Sequence, residues 1–388
     1  MLINNIKEKY SIETALLVLC CRHFIQTADN ETLDAFLKVN KIEWNKIYQL
    51  SMAHRIRPVV YKVLFIFKEI IGQDNLEELR TYCIYFNAFA LSNKRELYRI
   101  SEILKEQNIE AKPYKGIAFA EKFYADIGSR EFSDNDLIIK EQDIDKVVHL
   151  MRKEGYHLSY LAYYTKFPHQ YIKYNKDVVF EKYNENGRAF AFEFHFKNSG
   201  YIHGYPFSFI EVLGKGHITE SRKYNGTDHL KLMTINHGVM DLYPDLRSIL
   251  DITVILKKTG DITLTDIDPI INRYLKYVEI ISFEILNNPA YKTEIHTDKK
   301  AVIFSEQLIE KILSLVVGKR IPFLKYIILN MKQSNTAKGK ISYLKNYVLF
   351  KLRPNALDIN MIKLPYYSLY FFTKPLRILK KLFLKNSH

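Results

Sequence analysis

The chain has 388 residues, of which 47% are apolar, so it is long enough for two or three domains and too apolar for wholesale disorder. Its three cysteines, Cys20, Cys21 and Cys83, are odd in number and two are adjacent, which excludes a disulfide framework or a zinc-ligand spacing and indicates a reducing compartment. We see no signal peptide and no run of roughly 18 apolar residues, and we therefore expect a cytoplasmic protein.

The net charge of +14 is concentrated at one end of the chain. Residues 1–310 hold 41 Lys and Arg against 42 Asp and Glu, whereas residues 311–388 hold 16 against a single acid, Asp358. The basic character is therefore a property of the tail, and the chemistry of the rest must be inferred from its motifs.

The first 108 residues are predicted to form a helical N-terminal region. Ile12–Leu19 suits a buried helix, and Trp44–Leu50 has helical spacing that breaks before Pro58. A further long helix is predicted from Asn87 to Glu106.

A predicted strand, Ile109–Tyr114, leads into Lys115 and Gly116, where a helix begins. Glycine at a strand-to-helix turn lets the backbone approach a phosphate closely, and the helix N-terminus offers unpaired N–H groups with a partial positive charge. Lys115 adds a full charge. The alternative is that Lys115 and Gly116 simply form a turn, because a Lys-Gly pair is a weak signal by itself.

Two acids precede the apolar residues Leu137–Ile139, in the segment Ser133-Asp134-Asn135-Asp136. On a strand, residues two apart share a face, so Asp134 and Asp136 are expected to point into one cleft. Carboxylates at that spacing suit Mg²⁺, which prefers a few carboxylates together with phosphate oxygens of a substrate. The alternative is a pair of solvated acids, one in a loop and one at the start of a strand.

Two strands, Val178–Tyr183 and Phe190–Phe196, flank an Asn-Gly hairpin signal at residues 184–187. In the second strand Phe192, Phe194 and Phe196 share one face, while Glu193 and His195 share the other. An acid on the polar face of a strand in this sheet is the expected third metal ligand, the alternative being an exposed strand face. His195 is expected to orient Glu193, to contact phosphate, or to be a half-buried polar residue.

The C-terminal part is predicted to be loop-rich at residues 200–226, helical at 228–335, and basic and amphipathic at 336–388. Pro375 can begin a helix through Lys385 whose apolar and basic residues separate onto two halves, and the aromatic segment Tyr366–Phe372 precedes it. For residues 361–388 we weigh an anionic membrane surface against docking on the protein's own domain. Nucleic acid is a third option, although aromatic and basic residues lie in separate blocks.

The pattern K-G…R-x-x-S-D-x-D followed by three apolar residues falls on Lys115, Gly116, Arg130, Ser133, Asp134 and Asp136. It resembles the nucleotidyltransferases of the polymerase-beta-like superfamily, and among them an uncharacterised bacterial family, over roughly residues 40–255. The resemblance implies that the glycine begins a helix that holds a triphosphate, that the D-x-D binds the metals, and that Glu193 and His195 match an acid-x-His. It also implies that His237 and Asp251 line the nucleotide or acceptor side, with core or capping roles as the alternative.

We therefore predict an α+β fold with an α/β core, in which a small mixed nucleotidyltransferase sheet is flanked by N-terminal and C-terminal helical regions. The predicted segments are residues 1–108, 109–227 (the catalytic core), 228–335 and 336–388. The predicted enzyme transfers NMP from an NTP to a hydroxyl or phosphate acceptor (a sugar, small molecule, RNA end or protein), with two Mg²⁺ ions.

In the predicted site, Asp134, Asp136 and Glu193 are catalytic metal ligands. Nucleotide contacts are assigned to a second set of residues: Lys115, Gly116, Arg130, Ser133 and His195. The alternative function is a non-catalytic binding protein with a decayed transferase core, attached to RNA or an anionic membrane by its tail. The expected location is the cytoplasm, or the periphery of the inner membrane face.

Overall fold

A computed structural model describes residues 1–183, 187, 189–197, 226–259, 268–289, 298–316, 323–332 and 336–375. Three sequence predictions lie outside these residues: the hairpin turn at 184–186, the loop-rich segment up to residue 225, and the tail helix beyond residue 375. The predictions for these segments stay predictions.

Helices dominate the described residues. The helices before residue 200 are α1 Ile3–Lys9, α2 Ile12–Phe24, α3 Asn30–Val39, α4 Trp44–Ala53, α5 Arg57–Phe65, α6 Lys68–Ile71, α7 Glu77–Glu106, α8 Gly116–Phe123, α9 Ile144–Lys153, α10 Leu161–Lys166 and α11 Pro168–Tyr174. The later ones are α12 Gly226–Met233, α13 Leu246–Thr259, α14 Pro269–Leu286, α15 Lys299–Leu313, α16 Phe323–Met331, α17 Ala337–Leu352 and α18 Ala356–Met361. A π-helix, Thr234–Met240, follows α12.

Among the described residues, five strands form one sheet. They are β1 Ala111–Pro113, β2 Asn135–Ile139, β3 His157–Leu158, β4 Asp177–Tyr183 and β5 Ala189–His195. Their order is β1-β2-β5-β4-β3, with β2 and β5 parallel and the other pairs antiparallel. The small mixed sheet with helical flanks confirms the predicted fold class.

The chain packs as two compact units, each discontinuous in sequence. The first joins Met1–Tyr98, Tyr114–Ser133 and the described part of Arg222–Ile321. The second joins Arg99–Pro113 with the described parts of Asp134–Ser221 and Pro322–His388. The predicted division into four consecutive segments stays a prediction.

The first unit is helical and is built around α2. Ser11 caps this helix by accepting a hydrogen bond from the backbone N–H of Thr14, and every residue from Glu13 to Arg22 is buried. The predicted buried helix is thus confirmed. Arg22 contacts the C-terminal end of α14, where its Nε donates a hydrogen bond to the carbonyl of Ile285 at 2.8 Å. A helix buried all round explains the unbroken apolar run in this part of the sequence.

The second unit contains the sheet, and one of the sheet's faces forms the core of the unit. Leu137 on β2, Phe192 and Phe194 on β5, and Phe180 on β4 are all fully buried. The Phe192 and Phe194 rings stack with centroids 6.2 Å apart, and Tyr156 meets Phe192 edge-on at 5.5 Å. Because side chains alternate between the faces of a strand, the residues between these apolar positions point to the opposite face.

Part of the predicted tail belongs to the second unit. In the aromatic segment, Tyr367 and Tyr370 are buried, and the ring of Tyr367 stacks on that of Tyr163 with centroids 6.0 Å apart. Tyr366 and Phe372 are 69% and 74% exposed. The segment is therefore docked on its own unit through Tyr367 and Tyr370, and its other five residues are exposed.

Candidate functional site

The polar face of the sheet brings together three residues from two parallel strands. Asp136 on β2 lies opposite Glu193 on β5, and Ile138 lies opposite His195, so the two strands are in a register that pairs the predicted acids. The apolar side chains on the other face of each strand are buried in the core. This burial fixes the register in which the strands pair. Alternation then fixes Asp136, Glu193 and His195 on one face.

Their ligand atoms lie within 4.8 Å of one another. His195 Nε2 is 2.9 Å from Oδ1 of Asp136 and 3.3 Å from Oε2 of Glu193. Asp136 and His195 are 5% and 2% exposed, whereas the side chain of Glu193 keeps 26% of its surface accessible. The trio is thus buried at its base and open at Glu193. Two carboxylates with an imidazole are a donor set that fits a divalent cation.

The imidazole determines the charge state of the trio. Burial by itself lowers the pKa of His195, but the hydrogen bonds to Asp136 and Glu193 outweigh burial and raise it. The hydrogen bond from His195 lowers the pKa of Glu193, against burial and the charge of Asp136, which raise it. Glu193 is therefore an ionised carboxylate at neutral pH. His195 is buried rather than half-buried, and it contacts Glu193 as one of its predicted roles requires.

Two residues that the sequence analysis did not single out lie in the same cross-strand row as His195. Asp177 on β4 is directly opposite His195, with Oδ2 3.7 Å from His195 Nδ1. On the other side, β1 places Lys112 opposite Ile138, which itself pairs with His195. Lys112 is only 2% exposed. The cross-strand register that brings these residues into one row cannot be inferred from a single sequence.

The other predicted metal ligand, Asp134, immediately precedes β2 and is partly exposed. It is not a member of the trio. Ser133 is exposed. The predicted roles of Asp134 and Ser133 stay predictions.

Lys115 and Gly116 mark the start of α8, as the sequence predicts. Gly116 has φ +58°, a left-handed conformation that glycine adopts without steric cost. Lys115 precedes it in an extended conformation, with Nζ 5.0 Å from the centre of the Tyr114 ring. The helix start and its glycine are confirmed, whereas phosphate binding stays a prediction.

Arg130 is part of a buried polar network within the first unit. Its Nε and Nη2 each donate to a carboxylate oxygen of Asp251 at 2.8 Å, so the guanidinium grips Asp251 through two parallel hydrogen bonds. Tyr124 donates to the same carboxylate at 2.7 Å, and His237 Nε2 lies 3.0 Å from its other oxygen. The face of Phe119 lies 4.7 Å from the guanidinium carbon.

The neighbours of Asp251 keep its carboxylate ionised. Burial raises the pKa of Asp251, but the Arg130 charge and the hydrogen bonds from His237 and Arg130 hold it well below its usual range. Burial lowers the pKa of His237, which is therefore neutral at pH 7. From the family resemblance, Asp251 and His237 are predicted to line the nucleotide or acceptor side, with core or capping roles as the alternative. Their burial and mutual contacts favour the core role.

The sheet therefore carries two carboxylates side by side on adjacent parallel strands. A family model described as "Uncharacterised nucleotidyltransferase" matches residues 40–274, more than half of the chain, and the chain belongs to that family. No curated protein and no solved structure matches it. The family confirms the predicted enzyme class, nucleotidyltransferase, and implies an NTP substrate.

Proposed function

We propose that the protein is a Mg²⁺-dependent nucleotidyltransferase that transfers NMP from an NTP to a hydroxyl or phosphate acceptor. The observation that carries this proposal is the convergence of Asp136, Glu193 and His195 on the polar face of the sheet, within 4.8 Å of one another. Membership of the nucleotidyltransferase family supports it.

Asp134, Asp136 and Glu193 are the residues that would hold two Mg²⁺ ions. Bound there, Mg²⁺ supplies neutralisation of phosphate charge and makes an acceptor hydroxyl more acidic. The donor chemistry fits, since Mg²⁺ binds one or two carboxylates and leaves its remaining positions for water and substrate phosphate.

Glu193 is the residue suited to receive the acceptor proton. Its carboxylate is ionised, partly accessible and fixed by the hydrogen bond from His195. The acceptor oxygen then forms a bond to the α-phosphorus while the bond from that phosphorus to the β-phosphate oxygen breaks, and pyrophosphate leaves. His195, through Nε2, also contacts Asp136 and so keeps the two carboxylates in a fixed relation.

The triphosphate is assigned to Lys115, the Gly116 backbone, Arg130 and Ser133, with His195 as a further contact. The N–H groups at the start of α8 and the Lys115 ammonium suit the β- and γ-phosphates. Both Nε and Nη2 of Arg130 donate to Asp251, so we expect Arg130 to contribute to phosphate binding through its charge rather than through a second bidentate contact.

A thermal-shift screen of the four NTPs, each with and without Mg²⁺, tests nucleotide binding without knowledge of the acceptor. At least one NTP should raise the melting temperature, and only when Mg²⁺ is present. The Glu193→Gln variant should keep this shift, because Asp136 remains. Transfer of label from an α-³²P NTP to acceptors in a cell extract should fall about 10²- to 10⁴-fold in that variant.

The matched control is Glu181→Gln, which removes a partly buried carboxylate on β4 opposite Ala191. The side chain of Glu181 belongs to the same face of the sheet but lies outside the trio. The Glu181→Gln variant should keep both the NTP-dependent rise in melting temperature and the transfer activity. If Glu193→Gln retains full transfer, Glu193 is not the proton acceptor, and if no NTP shifts the wild type, the proposed function is wrong.

A further inference from the structure

The helix α17 carries apolar side chains on two different faces. One face packs within the second unit, where Tyr343 and Tyr347 are buried in a cluster with Ile327. The second face is exposed to solvent. Its members recur at i, i+3, i+7 and i+11 and form one stripe: Ile341 (67% exposed), Leu344 (41%), Val348 (45%) and Leu352 (40%).

Lysines border this stripe on both sides. By helical spacing, Lys338 and Lys345 lie along one side of the stripe and Lys340 and Lys351 along the other, and all four are exposed. The helix contains no acidic residue. The sole acid of residues 311–388, Asp358, is buried, with Oδ2 3.9 Å from Nζ of Lys374. Within the part of the chain that the structure describes, this surface therefore combines an apolar centre with four exposed lysines on a helix without acids.

A helix on the surface of a globular protein normally turns polar residues to the side opposite its core contacts. An apolar stripe with basic borders needs a partner that is both apolar and anionic. A second copy of the same surface, or the equally basic sequence beyond residue 375, would bring like charges together. Nucleic acid would meet aliphatic side chains where stacking requires aromatic ones.

We propose that α17 docks the protein on an anionic lipid bilayer, lying in the membrane plane with the stripe in the acyl boundary and the lysines at the headgroups. Such in-plane helices bind through buried apolar area together with attraction to anionic lipids. Among the residues that the structure describes, no helix is long and apolar enough to cross a membrane. Docking would be peripheral, and this surface is independent of the tail helix inferred from residues 376–385 and of the transferase activity.

Co-sedimentation of the full-length protein with vesicles tests the proposal. The protein should bind vesicles of phosphatidylglycerol and phosphatidylethanolamine at low salt and should bind pure phosphatidylcholine much more weakly. The double variant Ile341→Ser, Val348→Ser should bind at least about tenfold more weakly, since two side chains lose their transfer into the acyl boundary. Replacing Lys338 and Lys345 by Ser should weaken binding to anionic vesicles about fivefold per lysine.

The matched control is Ile84→Ser, Leu91→Ser on α7, where two apolar residues have the same spacing of seven and are 55% and 62% exposed. This control should bind as the wild type does, and circular dichroism should show all variants folded. Absence of wild-type binding to anionic vesicles overturns the proposal, as does an Ile341→Ser, Val348→Ser variant that binds like the wild type. Lysine-dependent binding of single-stranded RNA without vesicle binding would instead assign the surface to nucleic acid.

Discussion

The Arg130–Asp251 pair allows a quantitative test of the packing of the first unit. Asp251 is fully buried and accepts from Arg130 twice at 2.8 Å and from Tyr124 at 2.7 Å. In Asp251→Asn the amide removes the negative charge and turns one acceptor into a donor that faces other donors. Arg130, 3% exposed, would then be a buried cation without its counter-charge.

Breaking a buried pair in this way costs about 3–5 kcal/mol of unfolding free energy. Urea denaturation followed by circular dichroism measures that loss. Asp34→Asn is the control, since Asp34 pairs with Lys38 in an exposed i,i+4 arrangement and its loss should cost less than about 1 kcal/mol. A double variant, Arg130→Met with Asp251→Asn, should recover about 2 kcal/mol of the loss. A loss in Asp251→Asn no larger than in Asp34→Asn would refute the reasoning.

Three further predictions concern phosphate, pH and the docked aromatic segment. Lys115→Ala should weaken ATP binding, measured by calorimetry, more than AMP binding; equal losses would indicate a packing defect. Burial lowers the pKa of His54 from 6.5 to about 4, so the unfolded chain takes up the proton first as pH falls through that window. The wild type should then lose about 2 kcal/mol of stability between pH 7 and pH 5 relative to His54→Asn, and identical pH profiles would contradict this. Tyr370→Ala should cost about 3 kcal/mol of unfolding free energy and the exposed Phe372→Ala less than about 0.5; equal values would show that the segment is not docked.

The sequence predicted the elements whose signals are local. The apolar run of α2, the glycine start of α8 and the alternation of β5 each lie within one segment, and each is confirmed. Alternation alone placed Glu193 and His195 on the polar face of β5. The family resemblance extended this to the partner strand β2, and the parallel register then brought Asp136 opposite Glu193.

Long-range pairings could not be predicted in the same way. Arg130 and Asp251 are 121 residues apart, and nothing local indicates that the guanidinium is already engaged. His195 Nε2 lies close to both Asp136 and Glu193, and this contact changes the stability that we expect of the Asp136→Asn variant. Two bare carboxylates repel each other, so the D-x-D pattern alone predicts that Asp136→Asn does not lower the stability of the protein without metal. With His195 as a bridge, we expect a modest loss instead.

The tail shows why composition is a poor guide to packing. Residues Tyr366–Phe372 read as one aromatic block, yet Tyr367 and Tyr370 are buried against α10 and its neighbours while Tyr366 and Phe372 are exposed. A deletion from residue 361 would therefore remove buried side chains of the second unit, and loss of folding in that deletion would say nothing about membranes.

The central claim is that the carboxylates of Asp136 and Glu193, positioned by His195, bind a divalent cation together with an NTP. Titration of Mn²⁺, as a stand-in for Mg²⁺, followed by electron paramagnetic resonance in the presence of each NTP measures this directly. The wild type and Glu181→Gln should bind Mn²⁺ with at least one NTP, and Asp136→Asn should bind it at least tenfold more weakly. Equal binding by Asp136→Asn and the wild type, or no NTP-dependent Mn²⁺ binding at all, would contradict the account and favour a non-catalytic binding protein.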